Sequence, residues 1–323
     1  MGCLTRDGAN RLRKRCESKC HERKRDWSKY NEWQCKEIVL ACTVLRGIVD
    51  STKVHDWERR NGRPRIARRD IVLCLLVKAY LNVSYRRLTG FLRVLRPYLG
   101  LSSIPHFNTL AAYNRMPSME GTLKSLLEHT AEGAWKEEST IAIDSSGLLL
   151  HGSGSWRSSR YREGRKDYGK IHVLSGTDSL MTLAVRTTRG TWHDSTQLDQ
   201  LMNEVPEYSA ATAVAADSAY WNHRCCNAAR AAGLQPYFRP KGNAVLPRQI
   251  NDAFDRMTYY SMKFVNRFSS RYHRRSMAET RYYMEKTIFG ERLRCRKPVS
   301  RRNEVLAREI CHNVRLLAKG ARS

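Results

Sequence analysis

The sequence predicts an α/β protein in which a mixed β-sheet is flanked by helices and preceded by a basic, all-helical N-terminal region. Apolar residues recur at helical spacing up to about position 135. From Ser139 onward, short β-branched runs alternate with helical segments, which is the order expected of a sheet with helices on its faces. Hydrophobic residues make up 41% of the 323 residues, enough to build a core despite a net charge of +27. A disordered chain is therefore excluded.

Residues 1–65 are predicted to form a basic, partly ordered arm. Basic runs lie within positions 11–15 and 23–25, a helical stretch lies near Lys36–Val49, and a turn is predicted at Asn61–Pro64. The arm also contains zinc-type ligands, but structural zinc sites favour tighter paired spacings than those of Cys16, Cys20, His21, Cys35 and Cys42. Because no even, repeated spacing suggests a disulfide framework, most of the ten cysteines are predicted to be reduced thiols.

Residues 66–135 are predicted to form a helical DNA-binding region. The apolar residues from Ile71 to Tyr80 follow helical spacing, and further helices are predicted over Tyr85–Leu95 and Asn108–Tyr113. No pattern in this region is sharp enough to identify a helix that reads bases.

Residues 136–323 are predicted to contain the sheet. The first strand, Thr140–Asp144, is expected to stop at Ser145-Ser146-Gly147. Further strands are predicted at Lys170–Ser175, Met181–Thr187, Ala213–Asp217 and Leu234–Phe238, with helices at Ser195–Val205 and Asn222–Ala232. After Pro247 the chain is predicted to be mostly helical, and its last helix carries an apolar stripe of Leu306, Ile310, Val314 and Leu317.

The charge of the chain points to nucleic acid as its partner. Lys and Arg total 58 against 31 Asp and Glu, and the sequence pI is about 10.0. Each phosphate that a basic side chain neutralises releases condensed counterions, so such a chain binds a polyanion without reading its sequence. Basic residues outnumber acidic ones by 19 to 10 in residues 1–70 and by 21 to 7 in 239–323, but only by 18 to 14 between them. The middle can therefore carry carboxylates close to a polyanion held by the two ends.

A membrane partner is not expected. The longest apolar run, Ile71–Val77, is far shorter than the roughly 20 residues of a transmembrane helix. The first residues also lack the apolar segment of a secretory signal, so the protein is expected to be cytoplasmic and associated with the nucleoid.

Two of the predicted strands end in aspartate, at Asp144 and Asp217. If these strands are neighbours, both carboxylates meet at one edge of the sheet, where hard oxygen ligands suit Mg²⁺. The alternative is that each aspartate only caps a turn or helix, and spacing alone does not exclude it. Asp194 or Ser195 is likewise expected to cap the helix that follows, in preference to the alternative of a catalytic role.

A third acid lies on a basic helical segment near the C-terminus. Tyr272, Arg275, Glu279 and Lys286 stand at offsets of 0, 3, 7 and 14, which at about 100° per residue place them within an arc of roughly 60°. One helix face is thus predicted to present a phenol, a guanidinium, a carboxylate and an ammonium. A solvated charged face is the alternative.

These residues resemble the DDE transposases of bacterial insertion sequences. One branch of that family carries a tyrosine, two residues, an arginine, three residues, a glutamate, six residues and a lysine, and Tyr272 to Lys286 follow this spacing without a gap. Other segments resemble the family in the same order, namely Ile141–Gly147, Lys170–Val173, His193–Ser195, Ala215–Tyr220, Arg302–Val305 and Ile310–Asn313. The resemblance covers residues 140–318 well and 66–117 more loosely.

The resemblance implies an RNase H-like catalytic core in which Asp144, Asp217 and Glu279 form an acidic triad that holds two Mg²⁺ ions, for which Mn²⁺ can substitute. By analogy Asp144 bridges the two metals. Two metals serve phosphodiester cleavage because they activate the attacking oxygen and relieve charge on the leaving oxygen. The 3′-OH freed at an element end then attacks target DNA, so the resemblance implies cut-and-paste transposition.

Five further residues are predicted to contact DNA. Arg275 and Lys286 are assigned to phosphates near the scissile bond. Tyr272 is assigned either to the DNA backbone or to a half-buried structural position. Arg239 and Lys241 follow the strand Leu234–Phe238 near the proposed site, where they are either DNA contacts or solvated loop charges.

The predicted function is therefore that of a transposase. The alternatives are a metal-dependent nuclease of the same fold that cuts without joining and a catalytically decayed DNA-binding protein. The predicted partners are the terminal repeats and the target DNA, and a dimer is expected on DNA because joining two ends requires two active sites.

Overall fold

The computed structural model describes residues 27–57, 65–150 and 168–320. The turn predicted at Asn61–Pro64 and the ligands Cys16, Cys20 and His21 lie outside these ranges. The chain divides into two compact units between Ile38 and Val39, and the larger unit contains the sheet and every predicted site residue. No helix within the described ranges is long and apolar enough to cross a lipid bilayer. Cys35, Cys42, Cys74, Cys225, Cys226, Cys295 and Cys311 are free thiols.

Helices precede the sheet. They are α1 (Trp27–Ser51), α2 (Arg68–Tyr80), α3 (Tyr85–Leu99), α4 (Phe107–Tyr113) and α5 (Pro117–Glu137). Ser84 begins α3 by accepting a hydrogen bond from the backbone N–H of Arg87, and Gly100 ends it in the left-handed conformation that favours glycine. The helices predicted within residues 66–135 are therefore confirmed, and α3 extends beyond its predicted end.

One five-stranded sheet lies within the described residues, in the order β3-β2-β1-β4-β5. The strands are β1 (Thr140–Leu149), β2 (Tyr168–Gly176), β3 (Thr182–Arg189), β4 (Ala213–Ala216) and β5 (Gln235–Phe238). β2 is antiparallel to both β1 and β3, whereas β4 is parallel to β1 and β5. This mixed sheet flanked by helices confirms the predicted fold class and is consistent with an RNase H-like fold.

The remaining helices cover the sheet. They are α6 (Leu198–Met202), α7 (His223–Ala231), α8 (Ala253–Lys263), α9 (Val265–Tyr272), α10 (Ser276–Phe289) and α11 (Pro298–Gly320). Short 3₁₀ segments lie at Asp194–Gln197, Ser218–Tyr220 and His273–Arg275. Helices α5 and α11 contact β3, helices α7 to α9 contact β5, and α10 packs on β1 and β2.

Three details of the predicted elements are wrong. Strand β1 does not stop at Ser145-Ser146-Gly147, because antiparallel pairing with β2 continues past these residues to Leu149. The helix predicted over Ser195–Val205 is a 3₁₀ segment followed by the short helix α6. Leu317 is 38% exposed, so the buried stripe of the last helix ends at Val314.

A buried polar network anchors α10 to the last helix. The Arg281 guanidinium on α10 forms an ion pair with Glu309 on α11, and both side chains are fully buried. The hydroxyl of Thr182, at the start of β3, donates to Glu309 Oε2 at 2.6 Å and accepts from Arg281 Nη2 at 2.9 Å. Because buried charges are costly unless they are paired, this network links α10 to α11 and to the start of β3.

Candidate active site

The register of two parallel strands brings Asp144 and Asp217 to adjacent positions. β1 pairs with β4 through Ala142↔Ala215, and the same register carried two residues further aligns Asp144 with Asp217. Asp217 directly follows the last residue of β4, whereas Asp144 lies in the middle of β1, on the stretch that extends beyond β4. Both carboxylates are therefore located at the carboxyl end of β4, where ligands bind in open α/β sheets.

Asp144 is a half-buried carboxylate with a perturbed pKa. Its Oδ1 accepts a hydrogen bond from the backbone N–H of Ser145 at 2.9 Å, and its Oδ2 lies 3.9 Å from Arg275 Nη1. Burial raises the pKa of Asp144 to about 6, and the negative charges of Asp217 and Glu279 add to this rise, while the Ser145 N–H and Arg275 oppose it. Asp217 and Glu279 are thus close enough to Asp144 to act on its charge.

Asp217 caps the 3₁₀ segment that follows it. Its Oδ1 accepts from the backbone N–H of Ala219 at 2.9 Å, so the capping alternative is correct for this oxygen. Its Oδ2 has no hydrogen-bond partner within the described residues and remains available for a ligand. Capping and ligand binding are compatible here because a carboxylate has two oxygens.

Glu279 reaches the site from the first turn of α10. Its side chain is 59% exposed, and its Oε1 accepts a hydrogen bond from Arg275 Nη2 at 2.6 Å. Burial of the Arg275 guanidinium opposes its charge, but the hydrogen bond and the charges of Glu279 and Asp144 leave the pKa of Arg275 above its ordinary value. Arg275 therefore contacts Glu279 directly and lies near Asp144.

The prediction that Tyr272, Arg275, Glu279 and Lys286 share one continuous helix face is wrong. Tyr272 ends α9, Arg275 lies in the 3₁₀ segment, and the other two residues lie on α10. A 3₁₀ segment has three residues per turn, so the spacing of 100° per residue fails across it. Arg275 and Glu279 still meet because they are four residues apart on either side of the junction.

The two ends of this motif have partners within the protein. The Tyr272 ring stacks on Phe268 with ring planes 12° apart and centroids separated by 6.0 Å, and it packs against the hydrophobic core. Lys286 Nζ lies 3.3 Å from Glu291 Oε1 and is 28% exposed. Their DNA contacts stay predictions, and the half-buried alternative for Tyr272 agrees with its packing.

Arg239 and Lys241 are exposed at the same edge of the sheet. The backbone N–H of Arg239 donates to the carbonyl of Ala216 at 3.3 Å, which extends the β4–β5 pairing by one residue and aligns Arg239 beside Asp217. Lys241 follows two residues later and is also exposed. Neither side chain forms an ion pair with a described residue, so both charges are available to an anion.

Asp194 does not cap a helix as predicted. The 3₁₀ segment begins after His193 and has no side-chain cap, and Asp194 instead accepts a hydrogen bond from Lys170 Nζ at 2.7 Å. Its charge raises the pKa of Tyr220 together with the charges of Asp144 and Asp217, although burial is the main cause. Asp194 therefore shares the neighbourhood of the two strand-end acids.

Sequence reasoning missed two tyrosines beside the acids. The Tyr282 hydroxyl on α10 donates to the backbone carbonyl of Asp144 at 2.9 Å and so ties α10 to β1. Tyr220 is buried three residues after Asp217, and its hydroxyl has no hydrogen-bond partner within the described residues. The position of Tyr282 three residues after Glu279 was a usable signal, because such residues lie on the same side of a helix.

The donor set suits a divalent metal ion in its chemistry. The negative charges of Asp217 and Glu279 disfavour ionisation of Asp144, so a cation bound beside Asp144 would offset this repulsion. Carboxylate oxygens are also the ligands that Mg²⁺ prefers. Across the described ranges no three His, Cys, Asp or Glu side chains form a group close enough to hold a metal ion. The Glu279 carboxylate is instead hydrogen-bonded to Arg275, which supplies the positive charge.

Comparison with protein families finds one match that covers more than half of the chain. Residues 135–314 match a family model described as the transposase DDE domain. The matched range contains all five strands, Asp144, Asp217 and Glu279, and every DNA-contacting residue predicted above.

Proposed function

Because this chain belongs to the transposase DDE domain family, we propose that it cleaves DNA at the ends of a mobile element and joins the freed 3′-OH to target DNA. Members of this family are DNA phosphoryl-transfer enzymes that use divalent metal ions. The finer proposal is a cut-and-paste reaction that depends on two Mg²⁺ ions, for which Mn²⁺ can substitute.

The observation that carries this proposal is the convergence of three acids from distant parts of the chain, since the β1–β4 register aligns Asp144 with Asp217 and Arg275 lies 3.9 Å from Asp144 and binds Glu279. Asp144, Asp217 and Glu279 come from β1, the end of β4 and α10, yet the latter two both raise the pKa of Asp144. Perturbed carboxylates that converge from separate elements are typical of a catalytic site. In the proposed site, Asp144, Asp217 and Glu279 would hold the metal ions.

The bound ions would activate the attacking oxygen and stabilise the charge on the leaving 3′ oxygen. The protein's own residues would orient the DNA. Arg275 would release Glu279 and donate its hydrogen bonds to a phosphate instead, since its planar guanidinium can bind two phosphate oxygens at once. Lys286, Arg239 and Lys241 would neutralise neighbouring phosphates, and Tyr272 would support the backbone beside Arg275.

Joining two element ends needs two active sites, so we expect two copies of the chain to assemble on DNA. The DNA substrate also implies association with the nucleoid. The partners of the assembled complex would be the terminal repeats and the target DNA.

The first test is cleavage of the DNA that flanks this gene, with Mg²⁺ or Mn²⁺, by the wild type and by Asp217→Ala. The wild type should produce metal-dependent 3′-OH ends, and Asp217→Ala should bind the same DNA without cutting it. We expect a loss of at least about 100-fold, since even residues that only support metal ligands are worth 10–100-fold. Glu207→Ala, which removes an exposed acid elsewhere, should cut at the wild-type rate.

Two outcomes would contradict the proposal. Equal cleavage by wild type and Asp217→Ala would exclude Asp217 as a metal ligand. Binding without cleavage by both proteins would favour the decayed DNA-binding protein. If 3′-OH ends form but are never linked to target DNA, the chain is a nuclease of this family rather than a transposase.

A further inference from the structure

A second basic site lies away from the acids, between the end of α2 and the segment that follows α10. A cleft of about 880 Å³ opens there, bordered by Asn82 and Tyr85 on one side and by Gly290 on the other. Six cationic residues line it, namely Lys78, Arg115, Arg292, Arg294, Arg296 and Lys297, and Glu291 is the one acid among its lining residues. Such an excess of positive charge favours an anionic ligand.

Lys78 is unusual because it is a buried cation. Its side chain is only 5% exposed, and among the described residues it forms no hydrogen bond or ion pair. Its ammonium lies 4.9 Å from the centroid of the Tyr85 ring, which supplies only a cation–π contact. A lysine with so little exposure and no hydrogen bond of its own can bind an anion that enters the cleft.

The nearby acid Glu304 supplies Lys78 with an opposite charge but forms no hydrogen bond with it. Burial favours the neutral form of Glu304, but Lys78 and Arg308 bring its pKa below the ordinary value, so the two charges do interact. The Glu304 carboxylate is engaged elsewhere, because it accepts hydrogen bonds from the backbone N–H groups of Arg294 and Cys295 and from Arg308 Nη2. Its oxygens are therefore committed to the fold rather than to Lys78.

The rim of the cleft adds cations that are available to a ligand. Arg115, Arg296 and Lys297 are exposed, and within the described ranges their side chains form no hydrogen bond or ion pair. Arg294 is oriented by its hydrogen bond from Nε to Asn82 Oδ1 at 2.7 Å. Several separate positive groups around one cleft match the repeated charges of a polyanion better than a single small anion.

The cleft is connected to the proposed active site by α10. This helix runs from Glu279 in its first turn to Phe289, which lines the cleft. Ten residues of α-helix span about 15 Å. Phosphates of one DNA strand advance about 3.4 Å per base pair along the duplex axis, so a duplex that runs along α10 would present to the cleft a phosphate about four to five base pairs from the acids.

We propose that this cleft binds the phosphodiester backbone of duplex DNA about four to five base pairs from the cleaved phosphate, with Lys78 as the buried phosphate contact. The inference rests on the proposed function, because it takes the position of the cleaved phosphate from the acidic triad. It assigns a DNA contact to α2, which lies outside the matched family domain.

The test measures the binding of the full chain to a fluorescein-labelled duplex by anisotropy between about 50 and 200 mM salt. Lys78→Met and Arg296→Gln should each lower the slope of log K against log salt by about 0.9 and weaken binding about fivefold at physiological salt, the expected value for one lost phosphate contact. Lys319→Met removes an exposed charge at the end of α11 and should leave the slope unchanged. Asp217→Asn should bind with the wild-type slope and lose only cleavage.

A second measurement locates the contact. A methylphosphonate placed four or five base pairs from the cleaved phosphate removes one backbone charge from the DNA. It should weaken DNA binding by the wild type about fivefold but cause little further loss of binding in Lys78→Met. Should Lys78→Met unfold at a lower temperature than the wild type, Arg296→Gln carries the test, because its side chain is exposed.

The outcomes separate the cleft from the function. If Lys78→Met and Arg296→Gln both show the wild-type salt slope while Asp217→Asn still loses cleavage, the cleft is not a DNA-binding site and the proposed function stands. Failure of the wild type to bind duplex DNA would overturn both. Inorganic phosphate could instead raise the unfolding temperature of the wild type but not of Lys78→Met, while the salt slopes of DNA binding stay the same in both. That result would show that the cleft binds a free anion and would overturn the DNA assignment.

Discussion

The edge of the sheet and the α9–α10 segment contribute acids to the same site under different physical control. Asp144 lies on a paired strand, its side chain is 18% exposed, and burial dominates its pKa. Glu279 lies in the first turn of a helix, its side chain is 59% exposed, and its carboxylate is bound by Arg275. Sheet register thus fixes one part of the site, whereas a surface ion pair orients the other.

The largest expected effect comes from the anchor of α10. Glu309→Gln removes the ion-pair partner of the fully buried Arg281 guanidinium and leaves only the nearby Glu285 to oppose its charge, and breaking a buried pair on one side costs about 3–5 kcal/mol. Urea unfolding of this variant should show that loss, while Glu207→Gln, at an exposed acid, should stay within about 0.5 kcal/mol of the wild type. A loss below about 1 kcal/mol for Glu309→Gln would mean that α10 is held mainly by its apolar contacts.

Asp144→Asn should stabilise the metal-free fold at neutral pH. The folded protein holds the Asp144 proton up to a pKa of about 6, whereas the unfolded chain releases it near 3.8. The contribution of Asp144 to stability is therefore greatest below pH 3.8 and falls as the pH rises through 6, by on the order of 3 kcal/mol in total. Asparagine does not ionise and can still accept from the Ser145 N–H.

Unfolding free energies at pH 4 and pH 7.5, without divalent metal, check this prediction. The gain of Asp144→Asn over the wild type should be larger at the higher pH. If the stability difference between Asp144→Asn and the wild type is the same at pH 4 and pH 7.5, Asp144 is not buried in its charged form. Cleavage should be lost in either case.

A smaller effect is expected where the two regions touch. Tyr282→Phe removes the hydroxyl that donates to the Asp144 carbonyl, and a typical hydrogen bond contributes about 1 kcal/mol. The neighbouring Tyr283→Phe is the matched control, because Tyr283 is 73% exposed and should tolerate the change. Equal stability of the two variants would show that this hydrogen bond between α10 and β1 does not stabilise the fold.

The smallest expected effect on stability belongs to the helix acid. Glu279→Gln breaks a partly exposed ion pair with Arg275, and such pairs contribute about 0–1 kcal/mol. Thermal unfolding should therefore change little, while metal-dependent cleavage is lost. A destabilisation as large as that of Glu309→Gln would mean that Glu279 is a structural residue, which would erase the contrast with the sheet acids.

Much of the fold was predictable because hydrophobic period and strand composition are local properties. β-branched and apolar runs identified β1, β3 and β4, and the helical period identified α2 to α4. The length of β1 was not predictable from Ser145-Ser146-Gly147, which reads as a turn. These residues remain in a strand because β2 supplies their hydrogen-bond partners from more than twenty residues away in the sequence.

The candidate site was predictable only in part. Spacing and resemblance identified Asp144, Asp217 and Glu279, but the helical wheel placed four residues on one face that the 3₁₀ segment at His273–Arg275 interrupts. Sequence reasoning also assigned Asp194 to a helix cap, although its carboxylate binds Lys170 on another element. Such partners lie far apart in the chain, so no local pattern identifies them.

The sequence by itself determined which chemical groups the site can contain: the acids Asp144 and Asp217 of two predicted strands, the basic segment around Glu279 and the excess positive charge that favours DNA. Only the tertiary structure decided that β1 and β4 pair in the register that aligns Asp144 with Asp217, and that Arg275 lies near both Asp144 and Glu279. It also decided that Lys78 is buried beside a basic cleft. The physical reason is that strand register, burial and pKa depend on contacts between residues distant in sequence, whereas composition and periodicity do not.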